Sequence, residues 1–111
     1  MPEDVPRPAV LEALVIPDEI RDDMLALIRS AGGQLWGRPG LTPAQRSTVT
    51  IAVLTALGRN DQLRTHIGLG LDNGLTRSDI CEVIMHVGLY AGFPAAVSGF
   101  GVASAAFAEH R

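Results

Sequence analysis

The sequence predicts an all-α protein, and three features carry that prediction. No segment alternates apolar and polar residues as a half-buried strand does. Apolar residues recur instead at helical spacing, as in Ile20, Met24, Leu27 and Ile28 or Ile80, Val83, Ile84 and Val87. Helix-start signals, Thr42-Pro43-Ala44-Gln45 and Thr76-Arg77-Ser78-Asp79, stand before apolar runs, and glycines follow them.

In chain order, residues 1–17 hold four of the seven prolines and read as a Pro-rich arm without regular helix. Residues 18–111 read as one helical domain. Asp18 offers a cap to a helix over 19–31, with Gly32-Gly33 as its stop. A loop over 34–41 follows, in which Trp36 is either a buried pin or a pocket wall. Arg38 precedes a proline that pushes it out of helical conformation, where it can meet an anion. The helix opened by Thr42 runs to Leu57 and stops at Gly58. Its body is apolar nearly all round, which marks a central buried helix. Arg46 in its first turn opposes the positive end of the helix dipole, so propensity does not explain it; it is solvated, paired with an acid or in contact with an anion.

Asp61 can cap a helix over 62–71 that Asp72-Asn73-Gly74 closes, and Thr76 opens the next, ending near Ala91-Gly92. Pro94 then opens a last helix over 95–109, studded with Ala, Gly and Ser that permit close helix contact. His110, next to the end of the sequence, is expected to be unstructured.

Composition narrows function. The net charge is −3, the chain has no lysine and its arginines are scattered, so no nucleic-acid face is expected. The single Cys81 excludes an intrachain disulfide, a Cys-x-x-Cys pair and a Cys-rich zinc site. No apolar run reaches the ~20 residues of a membrane helix and no signal peptide is evident, so a cytoplasmic location is expected. With 47% hydrophobic residues in only 111, copies of the chain are expected to join into a homo-oligomer.

The candidate chemistry sits on the two helices of 60–92. His66 has Gln62 one turn before it. His86 has Glu82 one turn before and Tyr90 one turn after. A lone histidine on an apolar helix is usually structural. Two on successive helices suggest an acid–base site. No His-x-x-x-His, Glu-x-x-His or cysteine cluster provides a metal site.

A series of motifs, Trp36-x-Arg38-Pro39-Gly40-Leu41, Arg46-Ser47, Thr50-Ile51-Ala52, Ala56-Leu57, Leu63-x-x-His66, Asn73-Gly74-x-Thr76, Glu82-Val83-x-x-His86 and Tyr90-Ala91-Gly92-x-Pro94-Ala95-Ala96, closely resembles the 4-carboxymuconolactone decarboxylases, over about residues 20–110. The resemblance implies an alkylhydroperoxidase D-like helical bundle, assembled as a homotrimer or homohexamer, with no cofactor and an active site near subunit contacts. It implies decarboxylation of a small anionic lactone acid, whose own carbonyl accepts the electrons that CO2 leaves behind. Arg46 or Arg38 would hold the anion, with Trp36, Gln62, Glu82 and Tyr90 lining the site. His66 and His86 would steady the enolate and return a proton. The peroxidase branch carries Cys-x-x-Cys where this chain has Arg59 and Gln62, so peroxidase chemistry is excluded. The decarboxylase pattern has Glu where Gln62 stands, and Gln carries neither proton nor charge. An isomerase or cyclase using the same pocket, or a non-catalytic oligomeric binding protein, are the alternative readings.

Overall fold

Two capping boxes organise the main bundle. The computed structural model describes residues 8–110 and resolves six helices, with no strand among them: α1 (Pro8–Glu12), α2 (Asp18–Trp36), α3 (Pro43–Leu57), α4 (Asn60–Asp72), α5 (Arg77–Ala91) and α6 (Phe93–Glu109). The chain divides into two compact units, Met1–Leu41 and Thr42–Arg111.

In the first unit, the short α1 corrects the expectation that prolines keep the arm free of helix. Pro8 stands at the helix start, where its missing N–H costs nothing and its φ is already helical. Residues 1–7 of the expected arm lie outside the described residues. Arg21 closes α1 by donating Nη2 to Glu12 O at 2.7 Å and Nη1 to Leu14 O at 2.6 Å, carbonyls that the helix end leaves open.

α2 begins after Pro17, without a side-chain cap, and Asp18 and Glu19 suit the positive end of its dipole. It corrects the expected stop. Gly32 and Gly33 stay helical, and the helix runs on to Trp36, which therefore belongs to a helix rather than a loop. Glycine weakens a helix by about 1 kcal/mol without breaking it. Gln34 Nε2, donating to Ser30 Oγ at 3.2 Å, bridges the pair. The chain leaves α2 at Gly37, two residues before Pro39, which disfavours helix at Arg38.

In the second unit, Gln45 N donates to Thr42 Oγ1 at 3.1 Å while Thr42 N donates to Gln45 Oε1 at 2.9 Å. Thr76 and Asp79 repeat the exchange at α5, at 3.0 and 2.9 Å. Gly58 ends α3 in the left-handed conformation, φ 70°. α4 starts at Asn60, two residues before the expected position. Asp61 lies inside its first turn and does not cap it.

The end of α4 is a Schellman turn: Leu75 N donates to Gly70 O at 2.9 Å and Gly74 N to Leu71 O at 3.2 Å, with Gly74 at φ 106°. α6 starts at Phe93, before Pro94. His110 is structured. It follows α6 directly and pairs with Asp72 through Nε2 at 2.9 Å, beside the two-pronged pair of Arg64 with Glu109.

α3 packs mainly on α4 and α5, and α6 packs on α4 and α5. Their shared core is Ile51, Leu63, Ile67, Ile80, Ile84, Ala96, Ala103 and Ala106. The small residues of α6 set its close approach. A Cβ on Gly99 would meet Thr55 Cγ2 at 2.9 Å and Ile84 Cγ2 at 3.1 Å.

Candidate functional site

The seam between α3 and α4 positions the first histidine. Asn73 Nδ2 donates to Ser47 Oγ at 3.0 Å, and Gly70 lies against Ile51 and Ser47. These contacts fix an antiparallel register in which His66 falls level with residues near 54 on α3. Seven residues separate His66 from Asn73, two helical turns, so both lie on the flank of α4 that faces α3.

His66 is half-buried there, and burial pushes its imidazole below the ordinary value because desolvation penalises the charged ring. Gln62 occupies the same row one turn earlier and is exposed. On α3, Arg46, Thr50 and Leu54 form a row at four-residue steps. Thr50 Oγ1 donates to Arg46 O at 2.9 Å. Arg46 is half-buried, with its Nε shut off from solvent. It stands about 12 Å from the level of His66, eight residues at ~1.5 Å each.

His86 is placed differently. The inner stripe of α5 is Ile80, Ile84, Val87 and Gly88, and His86 points away from it together with Glu82, Met85, Leu89 and Tyr90, all exposed. Its ring contacts Tyr90, centroids 5.2 Å apart and planes tilted by 41°. Tyr90, one turn on, is thus the ring's neighbour, and Glu82 makes no hydrogen bond to it. α5 touches α4 little, so His66 and His86 lie on different flanks of the second unit.

Trp36 and Arg38 belong to the first unit. The indole ends α2 half-buried, and Arg38 N donates to Leu35 O at 3.1 Å. Among the described residues, no three His, Cys, Asp or Glu side chains gather as a metal site. No helix there is long and apolar enough to cross a membrane.

Two open clefts, of about 390 Å³ and about 310 Å³, lie on the α6 side of α4. Asn60, Asp61, Arg64 and Ser98 border the first, Gly68, Glu109 and His110 the second. None of the expected site residues lines either. Ser47, present in the sequence only as part of the Arg46-Ser47 motif, ties the seam together through its bond to Asn73. A serine in the middle of an apolar helical face was its signal.

A small all-α bundle, with one histidine in a helix seam and another on an outer face, is the class these observations define. Within that class, the sequence profile of the carboxymuconolactone decarboxylase family matches residues 22–105, and the chain belongs to that family. It is 47% identical over 81 residues to the 4-carboxymuconolactone decarboxylase of Acinetobacter baylyi, covering 73% of this chain and 60% of that one. It is 33% identical over 67 residues to the nitrosuccinic acid decarboxylase of Metarhizium robertsii, covering 60% and 47%. An uncharacterized 15.0 kDa protein of Paracoccus denitrificans is 30% identical over 79 residues, covering 69% and 59%. The chain thus spans three-fifths or less of the length of these curated relatives.

Proposed function

We propose that the protein is a cofactor-independent carboxy-lyase for a small polyanionic acid, with His66 in its acid–base machinery. The observation that carries this reading is the half-buried, desolvated imidazole in the α3–α4 seam, together with family membership. The names of two relatives supply the substrate class. In 4-carboxymuconolactone and in nitrosuccinic acid, the carbon that releases CO2 passes its electron pair to a built-in acceptor, a conjugated lactone carbonyl or a nitro group. The C–CO2 bond breaks, CO2 leaves, the acceptor oxygen takes the charge, and a proton is returned to carbon.

The protein's share is to hold the anion, favour the developing negative oxygen and supply the proton. Arg46 binds a carboxylate. Bound negative charge raises the proton affinity of His66, so the ring that is neutral in the free protein gains its proton with the substrate. His86 lies on another flank of the chain, so it joins this site from a second copy, with Tyr90 and Glu82 beside it, while Gln62 contacts the substrate next to His66. His86 and Tyr90 sit among exposed Met85, Leu89, Phe93 and Val97. A second copy of the chain covers this face in a homotrimer or homohexamer, which shields the site from water.

The test is CO2 release from 4-carboxymuconolactone and nitrosuccinate by the wild type, His66→Ala and His86→Ala. Wild type releases CO2 from at least one acid, and each histidine variant loses about 10²–10⁴-fold in rate while staying helical. Arg46→Ala raises KM, and Lys rescues it poorly if the contact is two-pronged. Consumption of acid without CO2 would show an isomerase or cyclase. Binding without consumption would show a non-catalytic protein.

A further inference from the structure

The seam contains Asn73-Gly74, the sequence pair in which a side-chain amide is most open to attack by the next backbone nitrogen, since glycine has no Cβ in the way. We propose that Asn73 is a deamidation site that the fold holds shut, with Ser47 as the latch. This inference is independent of the catalytic reading.

In the reaction, hydroxide takes the proton of Gly74 N, and that nitrogen bonds to Asn73 Cγ. The side-chain nitrogen leaves as ammonia after taking a proton from water, and a five-membered succinimide remains. Water then opens the ring at either carbonyl, giving aspartate or isoaspartate. The net change is one water added and one ammonia lost, with no oxidation.

Three observations show the site held closed. The attacking Gly74 N–H is engaged by Leu71 O at 3.2 Å. The leaving amide donates to Ser47 Oγ at 3.0 Å, and Ser47 is only 2% exposed. Asn73 has ψ 4°. A tetrahedral Cα sets Cβ about 120° from N around the Cα–C bond, so ring closure needs ψ near that magnitude. The reaction therefore waits on local opening of the 72–75 turn.

Conversion acts on the same contacts. A carboxylate at 73 has no N–H to give Ser47 and can only accept the serine's own O–H, which reverses the bond. It sits beside Asp72 at the negative end of the α4 dipole. Isoaspartate adds a backbone atom inside the Schellman turn that sets Leu75 N on Gly70 O. Each change loosens α4 from α3.

The experiment follows the full-length chain in mildly alkaline buffer, reading the mass gain of amide-to-acid conversion and mapping isoaspartate by peptide. Native wild type converts at Asn73 at least about tenfold more slowly than the same chain unfolded in urea. Ser47→Ala, still helical by circular dichroism, converts about fivefold faster than wild type, the factor for one hydrogen bond of ordinary net strength. Should that variant not fold, Ser47→Cys keeps the bulk with a weaker acceptor and shows a smaller acceleration. Asn73→Gln removes the signal from this peptide. Native wild type converting as fast as the unfolded chain, or folded Ser47 variants converting at the wild-type rate, would overturn the proposal.

Discussion

At the scale of single residues, His66 makes an acid-sensitive contribution to the fold. Burial holds its folded value below the ordinary 6.5, so protons prefer the unfolded chain. Its contribution is therefore fully present above the unfolded value and is lost as pH falls through about 6.5 toward the lower folded one. Gln62→Glu places a carboxylate one turn away, raises the titration of His66, and shrinks that acid loss. It should also raise decarboxylation of 4-carboxymuconolactone, a lactone that the wild type, lacking the glutamate, is expected to turn over poorly. Ring-proton NMR measures the first effect and ultraviolet lactone consumption the second. An unmoved titration would mean that the side chain at 62 does not reach the ring. The i, i+4 relation of Gln62 to His66 was legible in sequence because helical pitch alone creates it. The neighbour of His86 was not, since Glu82 and Tyr90 are equally spaced and only the folded rotamers bring the two rings into contact. Ser47 and Asn73 stand 26 positions apart, beyond any local pattern.

At the scale of elements, what sequence revealed was what four consecutive residues can satisfy among themselves. Both capping boxes and the left-handed Gly58 are of that kind. Gly32-Gly33 looked like an equal signal. Nothing requires positive φ there, however, and the helix continues until Pro39 comes within two residues. His110 was misjudged for a related reason: Asp72, its partner, lies on another helix. Packing at glycine gives a prediction with its own control. Gly101 faces open space, so Gly101→Ala gains helix propensity, about 0.8–1 kcal/mol. Gly99→Ala makes the same gain but drives its methyl into Thr55 and Ile84, where overpacking costs about 1–3 kcal/mol. Urea denaturation should place Gly101→Ala above wild type and Gly99→Ala below it. Equal midpoints would show that α6 can shift away.

At the scale of the whole molecule, the apolar side chains left in solvent set the expected behaviour. In the second unit Val49, Val53, Leu57, Met85, Leu89, Tyr90, Phe93 and Val97 are all exposed, more than scattered surface residues account for. Three or six copies should associate. Light scattering should report a multiple of 11.7 kDa, and Tm should rise with protein concentration. A monomer at all concentrations would leave His86 open to water and remove the proposed shielding. The family profile covers 22–105, and the class of fold was plain from composition and periodicity. The division at residue 41 was not, because no Pro- or Gly-rich linker longer than a turn marks it.

The order of helix contacts in the second unit has a kinetic consequence. α3 meets α4, α5 meets α6, and the next largest contacts, α4 with α6 and α3 with α5, join helices two elements apart, with a smaller contact of α3 with α6. Loops that must close before a contact forms are therefore short, and closure entropy grows with loop length. Such low-contact-order topologies fold in microseconds to milliseconds. Most of the helical signal should return within the dead time of a stopped-flow refolding experiment, leaving any concentration-dependent phase to report the meeting of separate chains.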